Sequence, residues 1–197
     1  MSGWTPAVKN TAVGPIAYAV TENGRQAIES VLQQTFERES PKILEELTRG
    51  VRRDGIDDLR QKYRRVSAGG ARINFDVQAF RLTPDGLPRL FVRAVWNLDG
   101  KTVFLMSAWL RTAPALEIEA ADLHAAKQAV WLDFKYDGPM EPSYLGEVLN
   151  ITDVDRDRFA EIVMLYHYYE GISIEISKYP PTGPGGAQVI AKFGAGC

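Results

Sequence analysis

An α+β fold is what this sequence predicts: N-terminal helices packed on an antiparallel β-sheet meander, followed by a C-terminal β-hairpin with an acidic loop and an edge strand. Three observations carry that prediction. Apolar residues recur at helical spacing up to residue 66. From residue 71 the hydrophobic period falls from 3.6 to 2, which is the repeat of a half-buried strand. The strand-like runs are joined by short turn signals, and short turns connect antiparallel neighbours.

The elements follow in order. Residues 1–22 are rich in small residues and prolines and read as an extended lead-in, with a short strand at 16–20. Asn23 with Gln26 three residues on has the form of a capping box. Ala27, Ile28, Val31, Leu32 and Phe36 then make one helical stripe. Ser40-Pro41 reads as a second helix start, serine as cap and proline at the first helical position. Ile43, Leu44, Leu47 and Val51 give that helix its stripe, Asp54-Gly55 is expected to break it, and a third short helix spans 57–66. Ile73, Phe75, Val77 and Ala79 alternate with polar residues, as do Leu90, Val92, Ala94 and Trp96. Leu98-Asp99-Gly100-Lys101 is a tight hairpin signal, because both central residues of the favoured turn need positive φ. Residues 103–110 are nearly all apolar, as in a central strand covered on both faces. Further strands are expected at 116–120, 130–136, 144–151, 159–166, 172–179 and 189–193. The whole chain is read as a single domain, 1–197.

Composition narrows the function. Twenty-three basic residues oppose 25 acidic ones, a balance that gives bulk charge no hold on nucleic acid or an anionic membrane. The basic run from Arg49 through Arg65 is interleaved with Asp54, Asp57 and Asp58 and reads as a solvated helix face. No apolar run reaches 18 residues, so no membrane span is expected. Cys197, the one cysteine, has no partner for an intramolecular disulfide and does not fit a prenylation box. No signal peptide is recognisable at Met1-Ser2-Gly3-Trp4.

The chemistry concentrates in one segment. Asp153, Asp155, Asp157 and Glu161 fall at loop positions 1, 3, 5 and 9 between two apolar runs. So much negative charge on nine residues is costly unless a cation sits among the oxygens, and a hard divalent ion such as Ca2+ suits that role. Alternate side chains converge when the backbone curls round the ion, with the Phe159 carbonyl at position 7. An EF-hand needs an acid at position 12, which is Met164 here, and flanking helices. The Asp-x-Asp after an apolar strand also occurs in phosphatases with an aspartate nucleophile. That chemistry needs an α/β domain after the motif, and only 40 strand-like residues follow Asp157.

The pattern resembles the Asp-x-Asp-x-Asp-Gly-x-x-Asp/Glu loop of FG-GAP and VCBS-type repeats, over roughly residues 143–180. The resemblance implies a calcium-loop hairpin and an exported, extracytoplasmic protein, either periplasmic or secreted. It implies Asp153, Asp155, Asp157, the Phe159 carbonyl and Glu161 as ligands. Arg158 stands where the family has glycine, a position that turns sharply with positive φ. Arg156 and Arg158 are also alternative counter-charges for a metal-free loop.

Other chemistry is weakly signalled. The two histidines, His124 and His167, have no zinc-motif spacing, and no nucleophile elbow or phosphate loop occurs. Tyr166, Tyr168, Tyr169 and Tyr179 cluster near one hairpin and form a candidate aromatic surface for a protein or glycan partner, although strand alternation would bury some of them. The expectation is a non-enzymatic protein with a structural cation loop. Its rival is a ligand-binding or enzymatic α+β barrel with a pocket lined by Trp96, Phe104 and Trp109.

Overall fold

The computed structural model describes residues 13–48, 53–84, 86–126, 146–168, 171–179 and 188–196. The predicted α+β class is what it shows: two helices and two antiparallel sheets. In chain order the elements are β1 (Gly14–Ile16), α1 (Glu22–Thr48), α2 (Arg53–Ser67), β2 (Arg72–Arg81), β3 (Arg89–Leu98), β4 (Lys101–Arg111), β5 (Glu117–Ala125), β6 (Glu147–Thr152), β7 (Glu161–Tyr168), β8 (Gly171–Lys178) and β9 (Gln188–Gly196). The first sheet runs β1-β2-β3-β4-β5 and the second β6-β7-β8-β9, each in sequence order. The expected strand at 130–136 lies outside the described residues.

The helical region differs from the sequence reading in three places. Thr21, not Asn23, caps α1: its Oγ1 accepts the Gly24 N–H at 3.1 Å. The expected second start at Ser40-Pro41 is not a start, because α1 runs through Pro41. Ser40 is fully buried and its hydroxyl donates to the Phe36 carbonyl one turn back, the hydrogen bond of a residue inside a helix. Asp54-Gly55 does not break a helix either; both residues lie in the first turn of α2.

Two cores form on opposite faces of the first sheet. Alternation puts Ile73, Phe75 and Val77 of β2, and Leu90, Val92, Ala94 and Trp96 of β3, on the helix side. There Phe36 fills the centre, its ring 5.2 Å from Trp96 and 4.9 Å from Phe104. The Trp96 indole N–H is satisfied by the Gln33 side-chain oxygen at 3.2 Å. The other face carries Phe80, Phe91 and Trp109, which pack on Ile151, Ile162, Met164 and Tyr179 of the second sheet and its flanks. Nearly every residue of β4 is buried, as expected of a strand covered on both sides. The β3–β4 turn has Asp99 at φ 53° and Gly100 at φ 77°, the double positive φ that Asp-Gly supplies.

This arrangement corrects the pocket expected of Trp96, Phe104 and Trp109. Trp96 and Phe104 are packed against Phe36, and Trp109 belongs to the opposite core.

Candidate metal centre

The acidic loop joins β6 to β7, as the spacing predicted, within a sheet of four strands rather than an isolated hairpin. Two backbone hydrogen bonds fix its base: the Ala160 N–H donates to the Leu82 carbonyl at 2.9 Å, and the Tyr179 N–H donates to the Ala160 carbonyl at 3.1 Å. The loop is thereby pinned to the first sheet and to the end of β8.

Within the loop, carboxylates hold the backbone. Asp155 Oδ1 accepts from the Asp157 N–H at 3.2 Å, and Asp157 Oδ1 from the Phe159 N–H at 3.0 Å. These are the local turns that aspartate favours. Asp153 Oδ2 accepts the Arg158 N–H at 3.0 Å, and Glu161 Oε2 the Val154 N–H at 2.8 Å. Curling the chain this tightly forces left-handed backbone at two arginines, Arg156 (φ 63°) and Arg158 (φ 75°). The sharp turn expected at position 158 is present without a glycine.

Asp153, Asp155 and Glu161 each direct one carboxylate oxygen into a common space, all within 4.8 Å of one another, and this cluster could hold a metal ion. Oxygens bound at about 2.3–2.6 Å to one Ca2+ lie at most about 5 Å apart, so the spread fits. Glu161 is only 3% exposed. Its Oε1, like Asp153 Oδ1, is a buried oxygen that accepts no hydrogen bond. Burying a carboxylate oxygen without a donor is costly, and a metal would supply the missing partner. Asp157, the fourth expected acid, faces Lys178 at the rim.

Lys178 is the residue that loop spacing missed. It pairs across the β7–β8 ladder with Glu161. Its Nζ stands 2.5 Å from Asp155 Oδ2, 2.5 Å from Asp157 Oδ2 and 3.6 Å from Glu161 Oε1. The hydrogen bond from Lys178 holds the Asp155 carboxyl below the usual aspartate range, and the hydrogen bonds to Asp155 and Asp157 push the Lys178 ammonium above its usual range. The signal was available in the hairpin register. Tyr168 pairs with Gly171, and stepping away from the turn along both strands brings Lys178 opposite Glu161.

The aromatic surface is corrected in part. Tyr179 is buried against Trp109, with ring centroids 5.9 Å apart, because alternation along β8 turns it inward while Lys178 turns to the loop. Burial raises its phenol pKa. Tyr166 is half-buried at the margin of the same core. Tyr169 and the side chain of Tyr168 lie outside the described residues. Tyr179 thus belongs to the interior and not to a partner surface.

Fold and site together define an α+β protein whose second sheet carries an acidic, lysine-plugged loop. No family model matches the chain, and neither a curated protein nor a solved structure matches it significantly. Among the described residues, no helix is long and apolar enough to cross a membrane.

Proposed function

We propose that the β6–β7 loop is a structural Ca2+ site in a non-enzymatic protein, tying the loop to the start of β7. The observation that supports this reading is the convergence of Asp153, Asp155 and Glu161, with one buried oxygen of Glu161 left without a hydrogen-bond donor. Ca2+ is favoured over Mg2+ on geometry. A flexible, irregular set of carboxylate and backbone oxygens meets the tolerance of Ca2+, whereas Mg2+ demands near-octahedral ligands and keeps its waters. The FG-GAP and VCBS-like spacing supports the same reading and an extracytoplasmic location. There, calcium modules work with dissociation constants of about 10⁻⁴ to 10⁻³ M. In that setting the loop acts as a brace for a binding or interaction module, and a protein or glycan is the partner class.

A ligand that binds only the folded state raises stability by mass action. Millimolar Ca2+ is therefore expected to raise the thermal midpoint over that in excess EDTA, and Asp155→Asn to abolish the difference. Superimposable melts in the two conditions would sink the calcium reading.

A further inference from the structure

We propose that Lys178 is a built-in competitor for this site: its ammonium takes the place of the divalent ion, so that ion binding and the Lys178 contacts exclude one another. The inference rests on the cation reading above and adds how the site is regulated. Its basis is positional. Two of the three acids that converge on the candidate site, Asp155 and Glu161, are also two of the three that face Lys178 Nζ. An ion bound to those oxygens and an ammonium at 2.5 Å from one of them would be like charges sharing a ligand shell.

The ammonium is an incomplete substitute. It has three donors and short contacts to two acids, Asp155 and Asp157. Glu161 Oε1, on a residue that is 3% exposed, receives no hydrogen bond, and neither does Asp153 Oδ1. A divalent ion with six to eight ligand positions would coordinate those two oxygens, to which the lysine donates no hydrogen bond. One positive charge also faces three carboxylates, where a divalent ion brings two. Lys178 can yield the place because its four-carbon stem sits at the end of β8 with 27% of the side chain exposed. The loop thus keeps a counter-ion in both states. Losing the metal returns Lys178 to the acids without unfolding the loop, and binding the metal releases an ammonium to solvent. The cost of expelling lysine weakens the site and matches it to calcium-rich surroundings.

Two measurements on the full chain test this. In the first, calorimetry follows the titration of CaCl2 into the wild type, Lys178→Met and Lys178→Gln. Removing the competitor is expected to tighten binding by about tenfold, within the usual range for coupled equilibria. In the second, a soluble amine-acylating reagent is applied to the wild type in EDTA and in saturating CaCl2, and modification at Lys178 is read by mass spectrometry. Calcium is expected to accelerate labelling of Lys178 and leave Lys62 and Lys101 unchanged. This arm needs no variant and answers even where a substitution impairs folding. Equal affinity in wild type and variants, with labelling of Lys178 indifferent to bound calcium, overturns the competitor while leaving the calcium site standing. Binding by the variants alone upholds the competitor and overturns calcium occupancy of the native chain. Binding by none of the three overturns both.

Discussion

Arg156 and Arg158 hold the left-handed backbone that lets the acidic loop close, with φ of 63° and 75°. An L-residue with a Cβ pays about 1–2 kcal/mol for that conformation, and glycine does not. Both positions are exposed, so little packing is at stake. Arg156→Gly is expected to stabilise the protein by about 1 kcal/mol, a rise of about 2–4 °C in the thermal midpoint for a chain of this size. A fall in the midpoint would show that the arginine side chain contributes more than its backbone costs. The same scale explains why the site was only partly legible. Asp153, Asp155, Asp157 and Glu161 are close in sequence, so their spacing announces the loop. Lys178 is brought to them by strand pairing, and nothing within the loop encodes it.

At the scale of elements, Pro41 is the informative case. Ser-Pro is a strong local start signal, and it was overridden. The stripe of Ile28, Leu32 and Phe36 on one side of it and the partly buried Ile43 and Leu44 on the other dock on the same core. Packing along one continuous face outweighs the hydrogen bond that proline cannot make. A proline inside a helix costs up to about 3 kcal/mol relative to alanine. Pro41→Ala is therefore expected to stabilise the chain by about 1–3 kcal/mol in denaturant unfolding. If Ser40-Pro41 instead began a separate helix, proline would sit at a favoured position and the substitution would be neutral or harmful. The strands were easier to read. Period-2 alternation is local, and Asp99-Gly100 is a turn signal that depends on two adjacent residues alone.

For the whole molecule, Trp109 decides how the two sheets meet. It lies 5.7 Å from Phe80, 5.0 Å from Phe91 and 5.9 Å from Tyr179, ring centre to ring centre, and so touches both sheets' contributions to one core. Trp109→Ala is expected to cost about 3–5 kcal/mol, as for other large-to-small core changes. The cost should fall on sheet–sheet packing. Near-UV circular dichroism should therefore change more than far-UV. A loss under about 1 kcal/mol would mean that the second core carries little of the fold.

Periodicity, turn residues and acid spacing are properties of neighbours along the chain. They were enough to establish the α+β class, the placement of both helices before the long strands, the β3–β4 turn and the position of the acidic loop. The division into two sheets, the continuity of α1 through Pro41, the burial of Tyr179 and the arrival of Lys178 among the acids are long-range matters. Each depends on which surface meets which, and that is set by burying the most apolar area and pairing strands in register. Local periodicity alone does not identify both partners. The lysine that faces the acids is therefore a product of the fold, while the acids themselves are written side by side.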